Sequence, residues 1–92
     1  MKFDSGKNMV SLVDPKFILG VGQILTFGAN KYAKNNWKLN EDLDRYKDAT
    51  LRHMYAYLSG ELLDPESGLP HLDHVACNIM FLRYNEHSTK ED

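Results

Sequence analysis

The residues best suited to chemistry lie in the last third of the chain. His71, His74 and Asn78 recur at a spacing of three and four, so on a helix they fall within about 60° of one another. That stripe is flanked by Phe81 on one side and by Val75 and Leu82 on the other. Polar groups on an otherwise apolar face need partners when buried, and two imidazoles beside an amide can bind a metal, position water or carry a proton. The ordinary alternative for any one of them is a hydrogen-bonded core histidine. Asp73 projects about 100° or more from all three, so the helical period places it toward solvent and outside the cluster. His53, on an earlier helix, reaches the same stripe if the two helices pair antiparallel.

Just upstream, Glu61, Asp64 and Glu66 set three carboxylates within six residues. Divalent magnesium or manganese takes oxygen ligands of this kind, completed by phosphates and water. The alternating Asp/Asn ligands and distal Glu of a calcium-binding EF-hand loop are missing, and a solvated acidic turn is the plain alternative. Asp48 and Arg52 stand one helical turn apart. They read either as an ordinary surface ion pair worth a few tenths of a kcal/mol, or as a phosphate clamp in which Asp48 orients Arg52. Finally, Lys31, Tyr32, Lys34, Asn35, Asn36 and Trp37 crowd into one segment. Lysine neutralises phosphate, an asparagine amide reads a base edge or ribose, and an aromatic ring stacks on a base. A capped helix end anchored by Trp37 is the competing explanation.

Three helices position these groups. Asp14-Pro15 supplies an acceptor side chain followed by a residue with helical φ, and Phe17, Val21, Ile24, Leu25 and Gly28 then mark one face. This predicts helix 1 from Pro15 to about Tyr32. Gly20 and Gly22 inside it each cost up to about 1 kcal/mol in propensity, a cost explained by close approach of another backbone. Asn40 can cap a second helix from about Glu41 to Ser59, with Leu43, Thr50, Leu51, Met54 and Leu58 as its apolar face and Gly60 at its end. A connector of roughly ten residues, Glu61 to Pro70, leads to helix 3 from about His71 to Tyr84, with Leu72, Val75, Ile79 and Leu82 inward. Residues 1–13 read as an arm and residues 85–92 as a fraying tail. No strand is predicted, so the fold class is all-α: a small bundle of three main helices in a single domain over residues 1–92.

Composition narrows the function. The chain is 42 % hydrophobic and 26 % charged, ordinary for a soluble globular protein and against wholesale disorder. A net charge of −2 argues against a dedicated binder of duplex nucleic acid. The lone Cys77 excludes an internal disulfide and a cysteine-rich zinc cluster, and the first residues show no charged-then-apolar leader. The uncharged run from Phe17 to Asn30 is too short to span a bilayer. A cytoplasmic protein without membrane association is expected. At 92 residues the core is modest, so completion by another subunit is expected as well.

Taken in order, Gly28-Ala29-x-Lys31-Tyr32, Asn36-Trp37, Arg45-Tyr46-x-Asp48-Ala49, Arg52-His53, Gly60-Glu61, Asp64-x-Glu66-Ser67-Gly68-Leu69-x-His71, His74 and Asn78 resemble the phage-type dATP/dGTP diphosphohydrolases, small relatives of the MazG-like all-α nucleotide pyrophosphohydrolases. The resemblance covers roughly residues 15 to 84. It implies metal-dependent cleavage between the α- and β-phosphates of a purine deoxynucleoside triphosphate, Mg2+ or Mn2+ as cofactor, and a homodimer or homotetramer. On this reading Glu61 and Asp64 are expected at the metal, with His74 positioning water or serving as an additional ligand, and Glu61, His74 and Arg52 are expected to be catalytic. Lys31, Lys34, Asn35, Asn36, Trp37, Asp48, His53 and Asn78 would contact substrate. MazG-like enzymes usually hold magnesium through an ExxE pair followed by an ExxD pair. Here Glu61-x-x-Asp64 can stand for the first, while His71-x-x-His74 and Asn78 occupy the place of the second. A non-catalytic helical nucleotide-binding or protein-interaction module is the alternative.

Overall fold

The computed structural model describes residues 6–31 and 42–90, with side chains for 6–29 and 42–86. A short 3-10 turn, Val10–Leu12, precedes three α-helices: α1 (Pro15–Lys31), α2 (Leu43–Leu58) and α3 (His71–Lys90). Among the described residues there is no strand beyond an isolated antiparallel bridge between Leu63 and Pro70. No described helix is long and apolar enough to cross a membrane. The predicted Asn40 cap lies outside the described residues.

The start of α1 follows from Asp14-Pro15. The Lys16 N–H donates to Asp14 Oδ1 at 3.1 Å, and the Asp14 carbonyl accepts from Phe17. The end of α2 follows from Gly60, whose φ of +106° no L side chain adopts easily. That conformation lets the Gly60 N–H donate to Tyr57 O and the Glu61 N–H to Ala56 O, both at 3.0 Å, closing the last turn of α2. α3 begins after Pro70, whose carbonyl accepts from Asp73 and His74. It continues past Tyr84 to Lys90, into the tail expected to fray, with buried Asn85 donating its Nδ2 to Phe81 O at 2.8 Å.

α3 is the central element. α2 pairs with it antiparallel, as Tyr46 against Phe81 (ring centroids 4.9 Å apart) and His53 against His71 and His74 demonstrate. α1 packs on a different side of α3, where the Asp73 carboxylate lies directly on Gly20. Asp73 is therefore half-buried rather than directed to solvent. The close approach at Gly20 is a side chain and not a backbone, and Gly22 has open space where a side chain would project.

The buried faces also differ from the expected apolar ones. On α3 the interior holds His71, His74, Val75, Cys77, Asn78 and Asn85, whereas Leu72 and Ile79 are exposed. On α2 the expected Leu43, Thr50 and Met54 are half-buried and are joined by Tyr46, His53 and Tyr57, while Leu51 and Leu58 face outward. Phe17 on α1 is exposed too, with Ile24 buried in its helix. The interface between α2 and α3 is assembled from polar and aromatic side chains that satisfy one another, and no buried side-chain nitrogen or oxygen among the described residues lacks a partner.

Candidate active site

The site forms where the C-terminal half of α2, the connector and the first turns of α3 meet. The connector is closed on itself: Asp64 N–H donates to Leu69 O at 2.8 Å, Gly68 N–H to Asp64 O at 2.7 Å, and His71 N–H to Leu62 O at 3.0 Å. The Asp64 side chain caps the turn through Oδ2, which accepts the Ser67 N–H at 2.9 Å. Gly68, with φ +73°, supplies the left-handed residue that turns the chain back toward α3. This folding carries the Asp64 carboxylate against the histidines.

His71 is the hub. It is 3 % exposed, its Nε2 lies 2.7 Å from Glu61 Oε1, and its Nδ1 lies 2.8 Å from His53 Nδ1. A carboxylate accepts only, so His71 carries a proton on Nε2, and in the neutral ring its Nδ1 presents a lone pair. His74 stacks flat on His53, with ring centroids 4.2 Å apart and planes 3° from parallel. Its Nε2 is 2.7 Å from the Ser67 hydroxyl and 3.9 Å from Asp64 Oδ2. The Leu69 N–H donates to the same hydroxyl at 3.1 Å.

The electrostatics favour neutral imidazoles. Burial pushes the His53 pKa down, as do His74, His71 and Arg52, against an upward pull from Asp64. Burial likewise leads in lowering His74, with Asp64 opposing it. For Asp64, burial alone would raise the pKa. The Ser67 backbone and hydroxyl hydrogen bonds, with the charges of His74 and His53, outweigh it and hold the carboxyl below its ordinary range. A neutral His53 beside an ionised Asp64 is the pair of protonation states that a cation needs in those two residues as ligands.

The structure thus gathers Glu61, Asp64, His74 and His53, with Asn78 buried on the same face of α3. It also adds two residues for which no individual role is expected from sequence. His71 stands out there only as one of a stripe. Ser67 is the bridge between Asp64 and His74, and the Asp64-x-x-Ser67-Gly68 spacing of a side-chain-capped turn is the signal that could have found it. Arg52 and Asp48 are exposed, and no ion pair joins them, so the anticipated i,i+4 bridge is not formed. Lys31 is the last residue of α1. Lys34, Asn35, Asn36 and Trp37 lie outside the described residues.

His53, Asp64 and His71 each offer a donor atom, and the three atoms lie within 4.8 Å of one another. The donor chemistry, two imidazoles and an ionised carboxylate, fits a divalent cation.

Over residues 1–92 the chain matches the family described as dATP/dGTP diphosphohydrolase, N-terminal. It is 36 % identical over 94 residues to a dATP/dGTP diphosphohydrolase of Salmonella phage PMBT28. The alignment covers all of this chain and 32 % of that relative, so the chain spans about a third of its relative's length. No solved structure matches it.

Proposed function

The chain belongs to the dATP/dGTP diphosphohydrolase family, matching its N-terminal region, and from that premise we propose that it acts in metal-dependent hydrolysis of dGTP or dATP to the monophosphate and pyrophosphate. The observation that supports this best is the convergence of His53, Asp64 and His71, backed by Glu61 and His74, at one end of the α2–α3 pair. A divalent cation, Mg2+ or Mn2+, held among these residues would neutralise charge on phosphate oxygens and make an attacking water more acidic. His74, with Nε2 on the Ser67 hydroxyl beside Asp64, is suited to hold a proton or orient that water. Arg52, exposed and next in sequence to His53, offers a cation for the triphosphate on the solvent side. Lys31 and Lys34 add positive charge, and Asn35, Asn36 and Trp37 supply base and sugar contacts. Asn78 completes the polar wall on α3. Nucleoside triphosphates are dissolved metabolites, and the cytoplasm is the compartment we assign.

We further assign a homodimer or homotetramer. Ile18, Leu19, Gly22, Gln23, Thr26 and Leu69 line an open, mainly apolar groove of about 600 Å3 along α1, which a second subunit would cover. The deciding experiment measures pyrophosphate released from dGTP and dATP with MnCl2 or MgCl2 present. Release that is abolished by chelation supports hydrolysis. Nucleotide binding with no release would refute it and leave a binding module.

A further inference from the structure

We infer that the cation is held by His53 Nδ1, His71 Nδ1 and one oxygen of Asp64, that Glu61 acts on it only through His71, and that this set selects a first-row transition ion over Mg2+. The inference rests on the reading that the site takes a divalent cation, but not on hydrolysis.

Distance is the first argument. With bonds of about 2.1 Å, neighbouring ligands on a cation stand about 3 Å apart and opposite ones about 4.2 Å. The two Nδ1 atoms are 2.8 Å apart, and one donor atom from each of His53, Asp64 and His71 lies within 4.8 Å of the others, so small side-chain adjustments suffice. Tautomers are the second. Because Glu61 accepts the Nε2 proton of His71, the Nδ1 lone pair is fixed toward His53. In the free chain His53 donates its Nδ1 proton to that lone pair. Moving the proton to His53 Nε2 leaves two lone pairs converging on one point. A ligating histidine commonly hands its other N–H to a carboxylate, which orients the ring and raises its basicity, and Glu61 stands in that position. Its oxygen at 2.7 Å from Nε2 is engaged on the side of the ring away from His53.

The remaining groups fit the same assignment. Asp64 is immobilised by the Ser67 N–H on Oδ2, as a ligand carboxylate must be. His74 lies flat along His53 and commits Nε2 to Ser67, so it fixes the plane of the His53 ring and is not itself a ligand. Two imidazoles and one carboxylate suit Mn2+, Co2+ or Zn2+, whereas Mg2+ prefers an all-oxygen shell and keeps its waters.

The test uses the full chain without nucleotide. Titration with MnCl2, followed by loss of the aqueous Mn2+ resonance in electron paramagnetic spectra, should show uptake that a hundredfold excess of MgCl2 does not reverse. His53→Gln and Asp64→Asn should weaken uptake at least about a hundredfold. Glu61→Gln, whose amide oxygen still accepts from His71, should weaken it only about tenfold and Glu61→Ala further, in the range of a ligand's supporting partner. In the unmodified chain ZnCl2 should shift the 15N resonances of Nδ1 in His53 and His71 and spare Nε2 of His74, a readout that no folding defect can confound. Displacement of Mn2+ by MgCl2, complete loss of binding in Glu61→Gln, or a shifted His74 Nε2 would each overturn the assignment. Metal uptake without pyrophosphate release refutes hydrolysis and leaves the site standing; pyrophosphate release by a chain whose His53 and His71 resonances ignore ZnCl2 does the reverse.

Discussion

Replacing Gly20 by alanine should destabilise the protein, although the same change in an isolated helix would stabilise it. Glycine in a helix interior is about 1 kcal/mol worse than alanine, so propensity alone favours Gly20→Ala by that amount. In the folded chain a Cβ at position 20 would stand 2.8 Å from Asp73 Cγ and nearer still to one carboxylate oxygen. A short aspartate, half-buried between α1 and α3, has little room to retreat, and overpacking of this kind costs about 1–3 kcal/mol. The expected net effect is a loss of about 1 kcal/mol. The contact is isolated by a double-mutant cycle: in an Asp73→Ala background the clash is gone, and Gly20→Ala should now stabilise by about 0.5–1 kcal/mol. Urea unfolding followed by circular dichroism gives all four free energies. If Gly20→Ala stabilises both backgrounds equally, α1 does not pack on Asp73 and the arrangement around α3 is wrong.

His74→Ala should lower kcat/KM for pyrophosphate release by at least about tenfold, or about 1.4 kcal/mol of transition-state stabilisation, with a melting temperature that falls less than activity requires. The reverse order of effects would make His74 purely structural. Cys77, 1 % exposed and with burial pushing its thiol up to about 12, should resist an aromatic disulfide reagent at pH 8 and react fully in urea. Rapid native labelling would contradict its burial. Gly60→Ala, at φ +106°, should cost about 1–2 kcal/mol in chemical denaturation; an unchanged midpoint would mean that the turn presenting Glu61 is not fixed by that residue.

Legibility of the fold in the sequence was uneven for physical reasons. Helix starts rest on local chemistry, and Asp14-Pro15 and Pro70-His71 mark theirs correctly. The inward faces do not rest on local chemistry. Leu51 and Leu58 read as core by apolar period yet are exposed, because α2 turns Tyr46 and His53 toward α3. A period count assumes that only apolar side chains go inside, and it fails where polar groups bury one another. The stripe of His71, His74 and Asn78 was visible for that same reason, as polarity in register. The antiparallel approach of His53 was legible as a conditional, and the pairing of α2 with α3 supplies the condition. Asp73 was misplaced because the period gives its angle on α3 but cannot reveal that a second helix covers that angle. The Glu61–His71 bond was not legible, since it depends on how the connector folds back through Gly68.

The candidate site occupies a short stretch of chain. The groups hydrogen-bonded to one another there lie between His53 and His74, in one helical hairpin closed by a connector that bonds to itself. Contacts so close in sequence lose little entropy on loop closure and belong to the class that forms early and quickly. α1 leans on another side of α3, at Asp73. The imidazole cluster is consequently a low-contact-order unit. Fraying or detachment of α1 in a sub-global opening can expose Asp73 and Gly20 while the pairing of His53, His71 and Glu61 persists.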